Sequence, residues 1–428
     1  MSRRFFLPMG IGLSMLVVGM LLKHGSMLAL AVPPILYSCL CVISTLQLRL
    51  PILRVRRTVS RHRMIEGEEV EIAVDLASEF GDVGRHFISV IDQLPAGAQL
   101  IEGENQFLGP LLRGQSVRFS YRVVLPRGKH RFSQVVVTAW SRWGLASRME
   151  SILHESVIIA HPKAELLGAI AIHPRRTRAF AGPVKAKLGG QGLDFFGCRS
   201  YVPGDDIRRI NWRAYARQDN LIVNEYELER LADVSIIVDA RLQAHCRLGE
   251  DTTFDYSLRA AASLTSHFLR VGNVVGLLVY GDIVHWVFPG VGKTQERRIF
   301  DSLAAACAAE KDVFEDLRKI PTRLFPAQSQ LVFVSPLIDD DDVEVIALLI
   351  DRGYSIILVC PHAAAWEAEK IGSSPSVQIA TRMSNLRRSL FLDSLVRTGT
   401  RIVNWDIAEP LTQAIARDLG ASFFRRHT

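Results

Sequence analysis

Two nearly charge-free apolar runs, Phe5 to Leu22 and Met27 to Leu46, open this chain. Each is about the length needed to cross a bilayer, so a large part of the N-terminal sequence is committed to helix before any domain begins. Lys23, His24, Gly25 and Ser26 form the short turn between them, and Pro33 and Pro34 in the second run are tolerated in a membrane span. Arg3 and Arg4 would also suit a signal peptide. No small-residue cleavage site with a polar mature start precedes the second run, so a retained helical hairpin over residues 1–50 is expected. Arginines lie at both outer ends: Arg3 and Arg4 before the pair, then Arg49, Arg54, Arg56, Arg57, Arg61 and Arg63 after it. The positive-inside bias then puts the N-terminus and everything beyond Leu50 on the cytoplasmic side.

With 428 residues, 48% of them hydrophobic and 22% charged, the chain has room for two or three domains. The mean hydropathy of +0.16 owes its excess to the N-terminal runs. The net charge of +7 owes much to the juxtamembrane arginines, whose simplest partners are inner-membrane lipids, at about 1 kcal/mol per basic side chain. No basic helix, aromatic RNA-binding strand pair or zinc module accompanies the charge, so no nucleic acid partner is expected. Cys39 and Cys41 fall in the second run, while Cys198, Cys246, Cys307 and Cys360 are scattered without C-x-x-C spacing. That pattern fits a reducing compartment and small apolar packing residues.

Beyond the anchor, Val70 to Leu76, Phe87 to Ile91, Val117 to Leu125, Phe132 to Ala139 and Val157 to Ile159 read as short strands. Turn clusters such as Glu66-Gly67, Gly81-Asp82, Arg113-Gly114 and Pro126-Arg127-Gly128 separate them. This order predicts an immunoglobulin-like β-sandwich over residues 51–163, with Trp140 and Trp143 as packing residues. Residues 164–232 read as a linker, with Pro174, Arg175, Arg176, Arg178 and Pro183, followed by an unusually polar segment. From Asp233 strands alternate with helices: a strand ending at Ala240, a helix over Phe254 to Val271, and strands Val274 to Tyr280 and Ile283 to Phe288 around Gly281-Asp282. There follow a helix over Gln295 to Ala309, a strand at Leu331 to Ser335, a helix over Asp341 to Arg352 and a strand at Tyr354 to Cys360. Leu386 to Arg397, Arg401 to Trp405 and Pro410 to Leu419 complete the alternation. Such an order requires crossover connections and a mainly parallel sheet over residues 233–428.

The polar segment, Gly192 to Glu229, places charges, aromatics and a Pro-Gly turn where a core would alternate Leu and Val. Tyr201, Pro203, Gly204 and Asp205 read as a tight turn. Asp206, Arg208, Arg209, Asn211, Arg213 and Arg217 follow, with Trp212 and Tyr215 placed to pack beneath the guanidinium groups. A buried salt-bridge brace between domains is the structural reading; a partner-docking surface and a ligand site are the functional ones. Phe195, Gly197, Arg199, Tyr201, Pro203, Gly204, Asp205, Asp206, Arg208, Ile210, Asn211, Trp212, Ala216, Arg217, Glu225 and Glu229 fit the pattern F-x-G-x-R-x-Y-x-P-G-D-D-x-R-x-I-N-W with an Ala-Arg step and a Glu-rich strand. The run thereby resembles the signature of a bacterial membrane-anchored family, domain-of-unknown-function fifty-eight. The resemblance implies a multidomain protein of the bacterial inner membrane whose C-terminal α/β unit is a Rossmann-type, von Willebrand A-like domain. It also implies work beside a MoxR-type AAA+ ATPase in assembling or maturing other proteins.

Folds of that type commonly hold a divalent metal through a D-x-S-x-S loop after the first strand. Here Asp239, Ala240, Arg241, Leu242 and Gln243 stand there, so of the three side-chain ligands only Asp239 remains. A hard cation needs several oxygen ligands, and Arg241 brings a positive charge of its own. The site reads as degenerate, with no metal or other cofactor expected and Asp239 paired to an arginine. Asp339, Asp340, Asp341 and Asp342 read as the charged N-terminus of a helix rather than a calcium loop. Gly290 to Thr294 lacks the first glycine of a phosphate loop, since Val287 stands there, and reads as a solvated turn exposing Lys293. Neither H-E-x-x-H nor G-x-S-x-G occurs. The expectation is a non-enzymatic adaptor. The alternative is a membrane-bound hydrolase or transferase using the Tyr201 to Arg217 cluster.

Overall fold

The structure, a computed structural model, describes residues 3–48, 52–80, 87–110, 116–141, 144–172, 184–218, 220–248, 251–280, 285–308, 325–337, 340–363, 367, 372 and 374–420. The expected turns at Gly81-Asp82, Arg113-Gly114 and Gly281-Asp282 lie outside these residues. So do Arg49, Leu50, Trp143, the linker residues Pro174 to Pro183, and Asp339. The chain divides into two compact units, Met1–Ala160 and His161–Thr428.

The first unit opens with helices α1 (Arg3–Leu21) and α2 (Gly25–Gln47), packed side by side. Close approach is set by small residues: a Cβ on Gly12 would sit 2.8 Å from Ile35 Cγ1. In α2, Gly25–Leu46 is long and apolar enough to cross a membrane, whereas the apolar stretch of α1, Leu7–Leu21, is shorter. Among the described residues, one such helix is evident where the sequence reading expects two. Pro33 and Pro34 sit inside α2, and the Ser38 hydroxyl donates to the Pro34 carbonyl at 2.8 Å.

Among the described residues nine strands follow. They are β1 (Ile52–Val59), β2 (Arg63–Ile65), β3 (Glu69–Phe80), β4 (Phe87–Asp92), β5 (Gln99–Gly103), β6 (Gln106–Pro110), β7 (Ser116–Val124), β8 (Gly128–Trp140) and β9 (Ser147–His161). They form two sheets, in orders β1-β3-β7-β5 and β2-β9-β8-β4-β6. Alternation does the work: Ile72, Val74 and Leu76 of β3 and Tyr121 and Val123 of β7 meet Ile88, Val90, Phe132, Val135 and Ile158 of the other sheet in one core. Sequence reasoning locates β3, β4, β7, β8 and the end of β9 and misses β1, β2, β5 and β6, whose arginines, glycines and short spans dilute the alternating pattern.

That core also encloses a charge. Arg57 on β1 donates through Nε to Asp92 Oδ2 at 2.9 Å and through Nη1 to the carbonyls of Phe132 at 2.9 Å and His154 at 2.6 Å. Both side chains of the Arg57–Asp92 pair are fully buried. The Tyr121 hydroxyl adds a bond to Asp92 Oδ2 at 2.6 Å, and burial with the Asp92 charge pushes its pKa far up. An arginine that sequence reasoning assigns to the membrane surface is thus a tie between sheets.

In the second unit β10 (Val184–Ser200) pairs antiparallel with β11 (Ile222–Arg230), and helix α3 (Trp212–Gln218) lies between them in sequence. Part of the stretch expected to be linker is therefore strand. The α/β part comprises β12 (Asp233–Asp239), the short pair β13 (Arg247–Leu248) and β14 (Asp251–Thr252), α4 (Thr253–Arg270), β15 (Val274–Tyr280), β16 (His285–Gly290) and α5 (Gly292–Ala305). It continues through β17 (Gln330–Val334), α6 (Asp340–Asp351), β18 (Ser355–His362), α7 (Pro375–Arg397), β19 (Arg401–Asp406) and α8 (Leu411–Gly420). The sheet order is β16-β15-β12-β17-β18-β19; β16 is antiparallel and the other strands are parallel. Val234, Ile236 and Val238 of β12 pack with α4, α5 and α8, while Ile237 packs with α6 and α7 on the opposite side. Burial on both faces explains why β12, β15 and β17 are mainly apolar instead of alternating. Thr252 and Asp255 close a reciprocal capping box at the start of α4.

Arg57→Met leaves the Asp92 carboxylate buried without its partner and is expected to destabilise the first unit by about 3–5 kcal/mol. Adding Asp92→Leu removes the orphaned charge and should return a large part of that loss. Hydrogen exchange over β4 and β8 reports the outcome for this unit alone.

Candidate functional site

Open α/β sheets offer a ligand crevice at the carboxyl ends of their strands, where strand order reverses. Here that point lies between β15, β12 and β17, and residues from four elements fill it. Asp239 ends β12, Tyr280 ends β15, Ser335 follows β17, and Asp342 sits in the first turn of α6. Arg241 turns back into their midst. Its Nε donates to Asp239 Oδ1 at 3.0 Å, and its Nη2 donates to Asp239 Oδ2 at 2.8 Å and to Asp342 Oδ2 at 3.1 Å. The Arg241 backbone N–H donates to Asp239 Oδ1 at 3.0 Å and the Ser335 hydroxyl to Oδ2 at 2.8 Å. The side chains of Arg241, Asp239 and Asp342 are 4%, 0% and 2% exposed, so this charge cluster is sealed from water.

The electrostatics follow from that burial. Desolvation works against the charged guanidinium, but the hydrogen bonds to Asp239 and the neighbouring charges outweigh it and hold the Arg241 pKa above its ordinary value. Burial, then the Asp239 charge, keeps the Tyr280 phenol protonated well above its usual range. Its ring lies 5.8 Å from the guanidinium carbon. His245 completes the shell. Its Nε2 must donate to the Asp239 carbonyl at 2.7 Å, which leaves Nδ1 to accept from the Thr253 hydroxyl at 3.2 Å. Burial lowers its pKa, in keeping with this neutral tautomer.

Among the described residues no group of three or more His, Cys, Asp and Glu side chains is arranged to hold a metal. Asp239 and Asp342 converge on one point, and the Arg241 guanidinium occupies it. Asp342, read in sequence as a helix-start charge, stands in the first turn of α6, and there it is 1% exposed and faces Arg241. Sequence reasoning pairs Asp239 with an arginine but misses Asp342, Ser335, Tyr280 and His245. The signal available was an acid and a hydroxyl each just beyond a parallel strand. Gly290 to Thr294, expected as a solvated turn, instead ends β16 and opens α5; Lys293 is exposed, and the buried Gln295 donates to the carbonyls of Val275 and Phe288.

The Gly192 to Glu229 segment makes the second cluster. Pro203 and Gly204 occupy the centre of a turn closed by Asp205 N–H to the Val202 carbonyl at 3.0 Å, with Gly204 at φ +112°. Arg199 grips Asp205 in a two-pronged pair at 2.7 and 2.6 Å, and the Val202 N–H adds a third bond at 2.9 Å. These contacts, the Arg199 hydrogen bond foremost, hold the Asp205 carboxyl at about 2. The Asp206 carboxylate accepts from the Arg208 N–H, and Asn211 Oδ1 caps α3 through the Ala214 N–H. Asn211 also donates to Asn224 Oδ1 at 3.0 Å, while Tyr201 N–H and Asn211 N–H reach the carbonyls of Leu221 and Ile222. The loop is thus fastened to β11.

The expected buried brace needs charges withdrawn from solvent, and most of these are not. Val202, Ile207 and Trp212 are 56%, 65% and 59% exposed, and Tyr215, Arg208, Arg213 and Arg217 are exposed beside them. Trp212 meets Tyr215 edge-to-face, with centroids 6.2 Å apart, instead of lying beneath a guanidinium. Glu225 lies on β11, opposite Gly197. An open cleft of about 500 Å³ lies at the ends of β18 and β19, lined by His362, Asn404, Asp406, Glu409, Arg417 and Asp418. Arg417 binds both Glu409 and Asp418.

Both clusters fall within residues 197–359, which match the family described as "Protein of unknown function DUF58". No curated protein matches the chain. Among solved structures, a FixG-related protein from Vibrio parahaemolyticus has a TM-score of 0.19 at 9% identity, covering 26% of this chain and 98% of its own. The cupredoxin domain of amoB from Nitrosocaldus yellowstonii has a TM-score of 0.19 at 12% identity, covering 30% and 100%. The sporulation control protein Spo0M from Bacillus subtilis has a TM-score of 0.16 at 17% identity, covering 26% and 50%. Likenesses this slight assign neither fold nor function.

Arg241→Ala leaves two buried carboxylates facing each other and is expected to cost about 3–5 kcal/mol. Millimolar calcium or magnesium should raise the melting temperature of that variant and leave the parent unchanged, as differential scanning calorimetry would register. The Arg199–Asp205 clamp gives a second expectation. Its contribution is complete above pH about 4 and is lost as the pH falls towards the folded value of about 2. Exchange of the Val202 amide should therefore stay slow down to pH about 3.5 and quicken below it.

Proposed function

We propose that this chain is a non-enzymatic adaptor, anchored by its N-terminal helices in the bacterial inner membrane with its bulk in the cytoplasm. Its α/β unit is read as von Willebrand A-like and its strand-rich unit as immunoglobulin-like. Its partner is read as a MoxR-type AAA+ ATPase. One observation carries this reading: Val202, Ile207, Trp212 and Tyr215 stand exposed beside Arg208, Arg213 and Arg217 on a loop fixed by internal hydrogen bonds. Trp, Tyr and Arg on a preorganised surface form the composition of a binding hot spot. The partner face it suits is apolar with carboxylates at its rim.

The strand-end crevice supports the same side of the argument, since Arg241 already fills it and satisfies Asp239. The hydrolase or transferase reading would need a base among Tyr201 to Arg217. Asp205, its natural candidate, is engaged by Arg199 and ionised down to a pH of about 2, which leaves it a weak base.

Crosslinking in membranes tests the proposal. The parent chain is expected to capture an AAA+ ATPase, and Trp212→Ala should weaken capture about 30-fold, the loss of a central aromatic anchor, with an unchanged melting temperature. Arg213→Glu with Arg217→Glu should weaken it further at low salt. Recovery of no AAA+ ATPase, with or without nucleotide, sinks the reading.

A further inference from the structure

Helix α7 is apolar on two opposite sides, and among the described residues only one of them is used. Leu392 and Leu395 are buried against the sheet, and Arg388 on that side donates to the carbonyls of Pro336 and Cys360. On the outer side Ile379, Met383, Leu386 and Leu390 are 60%, 67%, 63% and 64% exposed. Their spacing of four, three and four residues stacks them within roughly 60° of helix circumference, a continuous ridge along three turns. Exposed Arg382 and Arg387 lie on either side of the ridge, roughly 60–80° from its first residue at 100° per residue. No acidic residue occurs in the helix before Asp393.

A ridge of this kind needs a cover, and the charges choose among covers. A second copy of the helix would bring Arg382 and Arg387 against their own kind. A surface of apolar depth and negative rim suits both features, and this chain carries a helix, Gly25–Leu46, long and apolar enough to cross a bilayer. We propose that the outer face of α7 is a second membrane contact. In this arrangement the helix lies along an anionic bilayer with Ile379, Met383, Leu386 and Leu390 among the acyl chains and Arg382 and Arg387 at the headgroup phosphates. This rests on the membrane anchoring of the reading above but not on its ATPase, and it concerns a different helix from the Trp212 loop.

The test uses the full chain in vesicles of phosphatidylethanolamine with about one quarter phosphatidylglycerol. Benzoylphenylalanine is placed at Leu386, and at Lys293 on α5 as a control from the other side of the sheet. Irradiation is expected to give lipid adducts from Leu386 and not from Lys293. The yield should fall about tenfold in phosphatidylcholine vesicles or with Arg382→Glu and Arg387→Glu. Both arginines are exposed, so folding should survive. Raising salt from about 0.1 M to about 1 M gives the same loss without any substitution. Absence of lipid adducts, equal yields at both positions, or a yield indifferent to lipid charge and salt overturns the proposal. A crosslinked dimer would assign the ridge to a second copy. A protein adduct formed in native membranes, with none to lipid, would assign it to an acidic partner helix. Loss of ATPase capture with lipid adducts intact would refute only the adaptor reading.

Discussion

The α/β unit depends on one desolvated guanidinium. Bringing β12, β15, β17 and α6 together buries Asp239 and Asp342 at one point, and two carboxylates cannot share that space without a cation. Arg241, two residues beyond the strand end, supplies one from the same chain. The surrounding groups are arranged for this one charge state: Ser335 and the Arg241 amide saturate Asp239, Tyr280 stays a neutral phenol, and His245 stays a neutral donor to the Asp239 carbonyl. A sheet edge that elsewhere receives ligands is thereby finished as part of the core. Such a cluster adds specificity of arrangement more surely than stability, since a well-packed apolar replacement often matches a buried ion pair in energy.

The same physics separates the two polar segments. Arg57 is embedded among a carboxylate and carbonyls and Arg241 between two carboxylates; the first reads in sequence as a membrane-surface charge, the second as a cation in the degenerate loop. Arg208, Arg213 and Arg217 lie in a run dense in charge, yet they stand in solvent. Density of charge in sequence is therefore a poor guide to burial. What distinguishes the cases is the strand on which the residue sits: β1 and β12 have a face or an end directed into a core, whereas the Tyr201 to Arg217 loop is held at its base by β11 and turns outward.

Much of the α/β order was legible because β12, β15, β17 and β18 are buried on both sides and so are rich in Val, Ile and Leu, with helical periods between them. The Pro203-Gly204 turn was legible for a local reason, the positive φ that Gly204 permits. Several features were not. Strands β1 and β10 carry arginines, lysines and glycines that dilute any alternation, and α7 hides its first half because apolar residues on opposite sides blur the period. The meeting of Asp239 with Asp342 spans more than a hundred positions and is created by the parallel pairing of β12 and β17, which no local pattern encodes.

Taken together, these features separate charges that the chain itself satisfies from charges left in solvent. Inside, Asp239, Asp342, Asp92 and Tyr121 have partners supplied by the chain itself. Outside, two surfaces keep apolar side chains and arginines side by side without internal reason: the Trp212 loop, where aromatic residues cluster on a rigid turn, and α7, where aliphatic residues form a long straight ridge. The shapes differ as the proposed covers do. A compact aromatic knob suits a pocket on a folded partner, whereas a ridge along three helical turns with arginines on both flanks suits a planar boundary between apolar and anionic phases. Interior charges closed upon themselves, with exterior ones left open, are the physical ground on which the adaptor reading is proposed.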